Sequence, residues 1–353
     1  MAPSKTDLEK QYMSTKPVEK KPVAVPRPSS SILLISPTNE ILLLSRVNTS
    51  SSFASAHVFP GGNLDPTQDG DLPAVDDPLR HFDGPTYRLG AVRECFEESG
   101  ILLARKKGDK SGELLQVDEN EREKARKEIH GGKIRFEDWV ERVGGEIDAE
   151  SLIPFTRWVT PTNLPKRFTT QMYLYFLPLQ ASVSSKSTIP VPTHDGGLEH
   201  ATAAFSPCSS WLHQAKSNQI ILFPPQYYLM HLLAPFLTAS SSSASSSSSP
   251  PSNTELQRQR DAVLEFLDGD GDGMGVKWAF KVMSPTSLLM RKSDGRVVLA
   301  LDKPGPELKG SGRKGDTLRV VLVKFGKGGP RDVEVRWRKD VLDEERTGEE
   351  SKL

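Results

Sequence analysis

The residues best able to do chemistry in this chain sit in nine consecutive positions, Arg93-Glu94-Cys95-Phe96-Glu97-Glu98-Ser99-Gly100-Ile101. Placed on a helix at about 100° per residue, Glu94, Glu97 and Glu98 share an arc of about 100°. Val92, Cys95, Phe96 and Ser99 fall on the other side, as a core-facing stripe. Each repelling carboxylate pair costs roughly 0.2–0.5 kcal/mol. The three also lie toward the C-terminal end of the helix, where its dipole disfavours anions. A sequence that breaks two local rules at once has a reason beyond folding. Hard divalent cations supply one, because they prefer carboxylate oxygens and side chains at i, i+3 and i+4 approach one point. Arg93, four residues before Glu97, can pair with that carboxylate and orient it. Gly90, one turn before Glu94, leaves room on the acidic face for a ligand, and Gly100 can end the helix in the left-handed conformation. The plainer reading is a solvated acidic helix face.

Context favours the metal reading. Upstream stands Val58-Phe59-Pro60-Gly61-Gly62, a strand followed by a turn where backbone can approach a phosphate closely. Together these stretches resemble the Nudix hydrolase family. The family's box runs Gly, five residues, Glu, seven residues, then Arg-Glu-apolar-any-Glu-Glu-any-Gly-apolar. Gly62 matches the opening glycine, and Arg93 to Ile101 match the second half. The box places its arginine fourteen positions after that glycine, whereas Arg93 follows Gly62 by 31, so about 17 residues interrupt the box. Its first glutamate has no clear counterpart; Asp65, Asp77 and Asp83 are candidates among which sequence does not choose.

The interruption itself resembles the motif-19 branch, which includes peroxisomal coenzyme A and acyl-coenzyme A diphosphatases. The lead Phe53 to Gly62, Trp158-Val159-Thr160-Pro161 and Pro165 to Thr170 support the likeness, which covers about residues 29 to 237. It implies an α+β fold, a Nudix-type α/β/α sandwich with a mixed sheet. It implies pyrophosphate hydrolysis of coenzyme A or acyl-coenzyme A to 4′-phosphopantetheine and adenosine 3′,5′-bisphosphate. Glu94, Glu97 and Glu98 would hold Mg²⁺ or Mn²⁺, which neutralises the pyrophosphate and activates water, with Arg93 in support. Gly61, Gly62 and Arg46 are candidates for the pyrophosphate, and Lys166 and Arg167 for the 3′-phosphate. Phe168, Tyr173 and Tyr175 could stack on adenine, although two tyrosines alternating along a strand are more often core. His57 reads as structural. The general base stays open; Glu98 or Glu199 could serve.

Around these residues the chain is expected to organise as a polar, disordered arm (1–28), the Nudix domain (29–237), a Ser-rich linker (238–253), a β-rich extension (254–341) and a charged tail (342–353). Within the domain lie a non-periodic loop insertion at about 63–86 and a polar helical insertion at about 110–150. Forty-six Lys plus Arg balance 46 Asp plus Glu, so no global field points to nucleic acid or an anionic membrane as partner. Two cysteines, Cys95 and Cys208, exclude both a disulfide framework and a four-cysteine zinc module. Nothing apolar approaches the ~20 residues of a membrane span. Ser351-Lys352-Leu353 reads as a peroxisomal address bound by an import receptor. Asp268 to Gly273 opens like a calcium loop but has Ala279 where a bidentate glutamate belongs. Two other functions compete. An NADH or ADP-ribose pyrophosphatase lacks support from the cysteine count, and a catalytically silent binding module has no use for the repelling carboxylates.

Overall fold

A computed structural model describes residues 23–46, 56–109, 111–179, 192–193, 200–238, 251–270, 273, 275–326 and 328–350. The elements that position the carboxylates run in this order: β1 (Arg27–Ile35), β2 (Ile41–Arg46), β3 (Ala56–Val58), β4 (Gly61–Asn63), the one-turn α1 (Pro66–Asp69), α2 (Pro85–Ser99), β5 (Ala104–Lys106), α3 (Glu119–His130), α4 (Phe136–Arg142), β6 (Gly145–Ile147), β7 (Ile153–Val159), β8 (Phe168–Phe176), β9 (His200–Ser206), α5 (Cys208–Lys216), β10 (Ile221–Leu222) and α6 (Pro224–Leu233). After the Ser-rich stretch come α7 (Asn253–Asp268), β11 (Val282–Met283), β12 (Thr286–Met290), β13 (Val297–Leu301), β14 (Asp316–Gly326), β15 (Gly329–Trp337) and α8 (Arg338–Glu350).

A nine-stranded mixed sheet runs β10-β3-β2-β1-β8-β7-β11, with β4 pairing β1 and β9 pairing β2. At its centre β1 lies parallel to β8, in register from Arg27↔Phe168 to Ile35↔Phe176. The apolar run in β1 follows from burial on both faces. Ile32 and Leu34 pack with Ala91, Cys95 and Phe96 of α2, while the alternating Leu33 and Ile35 pack with Trp211, Tyr228 and Leu229 on the other side. The α+β sandwich with a mixed sheet is thus the observed architecture.

The extension is built into this core. Strands β12 to β15 form an antiparallel four-stranded sheet, and its Leu299, Val321 and Val335 share a cluster with Leu33 and Ile35. Strand β11 joins the edge of the main sheet through Val282↔Arg157 and Met283↔Trp158. Buried Arg260 of α7 donates to Asn39 Oδ1 at 2.8 Å, to Leu177 O at 2.9 Å and to Ser36 O at 2.9 Å. Several local expectations are corrected. Strand β1 begins at Arg27, inside the stretch read as a polar arm. The 63–86 loop holds α1 and a 3-10 turn at Pro78–His81. Within the β-rich extension, a 3-10 turn at Trp278–Phe280 precedes the two-residue β11. The stretch from 342, read as a charged tail, continues α8 up to Glu350, with Val341 buried and ion pairs Lys339–Asp343 and Arg346–Asp343 on its outer side.

Candidate functional site

Helix α2 carries the acidic residues, and its ends are well defined. Pro85 occupies the first turn, and Gly100 ends the helix at φ 72°, donating to Phe96 O at 2.8 Å. Its apolar side is held by a stack of Phe96 on Trp139, centroids 4.9 Å apart, contributed by the 110–150 insertion.

Arg93 is the electrostatic hub. Its Nε and Nη2 donate to both carboxylate oxygens of Asp69 at 2.8 and 2.9 Å. Nη1 donates to Glu97 Oε1 at 2.8 Å and lies 3.0 Å from Glu94 Oε1, and Nη2 also reaches Asn63 O at 3.1 Å. Burial alone would weaken its charge; the fork to Asp69, with Glu94 and Glu97 close by, more than reverses that. Glu97 is claimed from a second side by His130 of α3, whose Nδ1 stands 3.0 Å from Oε2. Arg126 of the same helix donates to Glu97 O from Nε (3.2 Å) and Nη2 (2.9 Å).

The turn supplies the opposing wall. The Gly61 N–H donates to Glu98 Oε2 at 2.8 Å, so it is committed to that carboxylate and not presented to a phosphate. Glu94 lies under Gly62 so closely that a Cβ there would fall 2.5 Å from its carboxylate carbon. Burial, with Glu97 and Asp69 adding repulsion and Arg93 opposing it, pushes the Glu94 carboxyl up to about 7.

Glu94, Glu97 and Glu98 share one helix face, but their oxygens do not converge on one point. Glu94 and Glu98 face the Gly61-Gly62 turn, while Glu97 is held by Arg93 and His130. Among the described residues no group of three or more His, Cys, Asp or Glu is arranged to hold a metal ion. The donor set nevertheless suits a hard divalent ion. It is all oxygen, Asp69, Glu94 and Glu97 crowd around the Arg93 guanidinium while Glu98 sits at the Gly61 N–H, and Glu94 keeps 15% of its side chain open to solvent.

Other candidates are placed differently. Arg167 is buried, donating to Thr160 O at 2.9 Å and Ala24 O at 2.8 Å and pairing with Glu307, so it is a strut rather than an open phosphate ligand. Lys166 beside it is exposed. Tyr173 and Tyr175 are core residues whose hydroxyls donate to Asp83 and Asp148, which removes them as adenine platforms; Phe168 is half-buried. Arg46 ends β2 at an irregular pairing with β9. His57 lies in β3 near Trp211, ring centroids 5.9 Å apart, and burial lowers its pKa. Gly90 does not leave an open space: Leu64 and Asp69 fill it, and a Cβ there would meet Leu64 at 2.4 Å. Glu199, Phe53 to Ser55 and the terminal Ser351-Lys352-Leu353 lie outside the described residues.

Sequence reasoning missed Asp69, Arg126 and His130. Asp65, Asp77 and Asp83 are otherwise engaged, the first two as helix caps and the third with Arg88 and Tyr173. Asp69 lies seven positions after Gly62, one later than the box's first acid, so counting from the glycine could have found it. Arg126 and His130, four apart, share a face of α3, but only the fold brings that face to α2.

A family model described as the NUDT19 Nudix domain matches residues 77–233. Over 146 residues, 41% of this chain and 42% of the relative, the chain is 33% identical to "Putative nudix hydrolase 7" of Caenorhabditis elegans. It is 25% identical over 241 residues to "Acyl-coenzyme A diphosphatase NUDT19" of Gallus gallus, covering 56% of this chain and 61% of that protein. The chain thus spans between about two fifths and three fifths of these relatives' length. A solved structure of a NUDIX hydrolase from Alicyclobacillus acidocaldarius aligns with a TM-score of 0.45 and 22% identity, over 60% of this chain and 91% of that one. Residues 77–233, which match the NUDT19 Nudix domain, include the intact Arg93 to Ile101 segment on one helix facing the Gly-Gly turn, so this part of the chain is similar to Nudix hydrolases.

Proposed function

We propose that this chain cleaves the pyrophosphate bond of coenzyme A or acyl-coenzyme A, releasing 4′-phosphopantetheine and adenosine 3′,5′-bisphosphate, with Mg²⁺ or Mn²⁺ held by Glu94, Glu97 and Glu98. The observation that carries this reading is the seating of the Glu94 and Glu98 carboxylates against the Gly61-Gly62 turn. It brings the two separated halves of the box together despite the added residues. The substrate class follows the relatives named acyl-coenzyme A diphosphatase.

When bound, a divalent ion neutralises the diphosphate and lowers the pKa of attacking water. The chain's own residues prepare that site. Arg93 fixes Glu97 through the i to i+4 contact and is itself clamped by Asp69. Gly62, lacking a side chain, lets Glu94 lie beneath the turn, and the Gly61 N–H fixes Glu98. Arg126 anchors the last turn of α2 by its two bonds to Glu97 O.

The test is a panel of coenzyme A, acetyl-coenzyme A, NADH and ADP-ribose with each metal, products identified by mass, and Glu98→Gln as control. Adenosine 3′,5′-bisphosphate from coenzyme A is the expected product; turnover confined to NADH or ADP-ribose would replace the substrate assignment. A silent binding module is tested by thermal denaturation. The midpoint of the wild type should rise with Mg²⁺ or Mn²⁺ and that of Glu97→Gln should not, whereas no metal-linked rise in the wild type favours the module. For Ser351-Lys352-Leu353 we propose a peroxisomal address: a fluorescent fusion keeping the C-terminus should be punctate, and deletion of Leu353 should disperse it.

A further inference from the structure

The 161–163 turn after β7 and the 303–314 loop of the extension enclose a cavity of about 860 Å³, within the size range of small-molecule sites. Part of its lining is apolar, with Pro161, Pro304 and Leu308. Four cations, Lys303, Lys309, Arg313 and Lys314, line it, and no carboxylate does. In a chain whose charges cancel, that is a local excess in a concave setting, where low-dielectric walls focus a positive potential.

The wall behind the cavity reinforces the excess. Arg313 is oriented by donating to His81 O at 3.0 Å and Phe280 O at 2.8 Å, with its guanidinium 4.5 Å from the Phe82 ring centroid. Burial lowers its pKa to about 10, so it stays charged at neutral pH. Arg157 and Arg167 are fully buried nearby, and Glu307 pairs with Arg167. Arg157 Nε and Arg167 Nη2 are buried without a hydrogen-bond partner. His81 reports the field: burial, then the charge of Arg157, brings its pKa down to about 4.

We propose that this cavity binds a phosphomonoester, the phosphate being met by Lys303, Lys309, Lys314 and Arg313 and the organic part lying on the apolar part of the lining. A dianionic phosphate matches cations gathered around one cavity; an extended polyanion would need a longer stripe of charge. The phosphate could belong to the substrate proposed above or to a separate phosphorylated effector, and only that distinction rests on the hydrolase reading.

The experiment is calorimetric titration of the full chain with adenosine 3′,5′-bisphosphate, inorganic phosphate and adenosine. The wild type should bind the bisphosphate more tightly than adenosine, and more weakly at high salt. The variant Lys303→Ala/Lys309→Ala/Lys314→Ala should bind it at least about tenfold more weakly, the loss expected when a charge-assisted bond is removed. Lys309→Glu alone, at an exposed position, should weaken it in the same direction and guards against misfolding of the triple variant. Equal dissociation constants for wild type and both variants, or no binding of either phosphate compound by the wild type, would overturn the proposal. Competitive inhibition of coenzyme A hydrolysis, weakened in the triple variant, supports it with the phosphate as the substrate's own. Variant-sensitive binding without competition supports it with an effector. The titration decides even if coenzyme A is not turned over.

Discussion

Replacing Gly62 by alanine should separate catalysis from stability more cleanly than removing a carboxylate. The added Cβ would lie 2.5 Å from the Glu94 carboxylate carbon and from Oε1, and 2.6 Å from Oε2. Ordinary contact begins near 3.5 Å, so Glu94 must withdraw by roughly 1 Å. Because the obstructing atoms end a flexible side chain, the side chain moves and the backbone does not. Gly62 is not among the glycines with positive φ, so alanine is tolerated there. A displacement of about 1 Å at a reacting centre costs on the order of 10²-fold in rate. The expected outcome is therefore a kcat on the proposed substrate, coenzyme A, reduced about 100-fold, with a thermal midpoint within a few degrees of wild type, roughly the shift of a sub-kcal/mol change. Gly61→Ala is the contrasting control: φ is +155° and the Cβ would meet Ser30 O at 2.3 Å, a backbone atom, so stability should fall as well. Wild-type turnover in Gly62→Ala would refute the idea that Glu94 works from beneath the turn.

Three further outcomes follow from the geometry. Asp69→Asn keeps the shape but removes the charge facing Arg93; breaking a buried pair costs about 3–5 kcal/mol, and because Arg93 keeps Glu97 and Glu94, about 2–3 kcal/mol should appear in urea denaturation. His81, held at about 4 against 6.5 when unfolded, contributes stability that is full above pH 6.5 and is lost as pH falls toward 4. His81→Gln should flatten that part of the stability–pH curve, and an unchanged curve would count against its burial as a neutral ring. Arg260→Ala strands three buried acceptors, each worth about 1–3 kcal/mol when left unsatisfied, so the whole chain, not α7 alone, should lose stability in a single cooperative transition.

What could be read from sequence tracks how local each feature is. Helix α2 was legible because its caps, its apolar stripe and its acidic face all lie within one run. The same holds for β1, whose Ile32 to Ile35 run is long enough to mark a strand buried on both sides. Strands β3 to β6, three residues each, fall below any useful period, and only β3 was anticipated. Helix α8 was hidden by charge, since its single buried anchor, Val341, is outnumbered by paired ions. The acidic candidates before α2 could not be ranked, because the choice rests on which carboxylate the chain carries back to Arg93. The Arg167 expectation failed for a related reason: its partner Glu307 is 140 residues away, in the C-terminal extension.

The sharing of one apolar cluster by Leu33 and Val335 bears on how the molecule is made. About 300 residues separate them, and at about 5–20 residues per second synthesis of that span takes on the order of 15–60 s. During that interval the Leu33 and Ile35 side of β1 gains Trp211, Tyr228 and Leu229 as cover but still lacks the sheet of the extension. A nascent chain of this protein should therefore engage a chaperone through the Leu33 and Ile35 side of β1 until its last strand emerges.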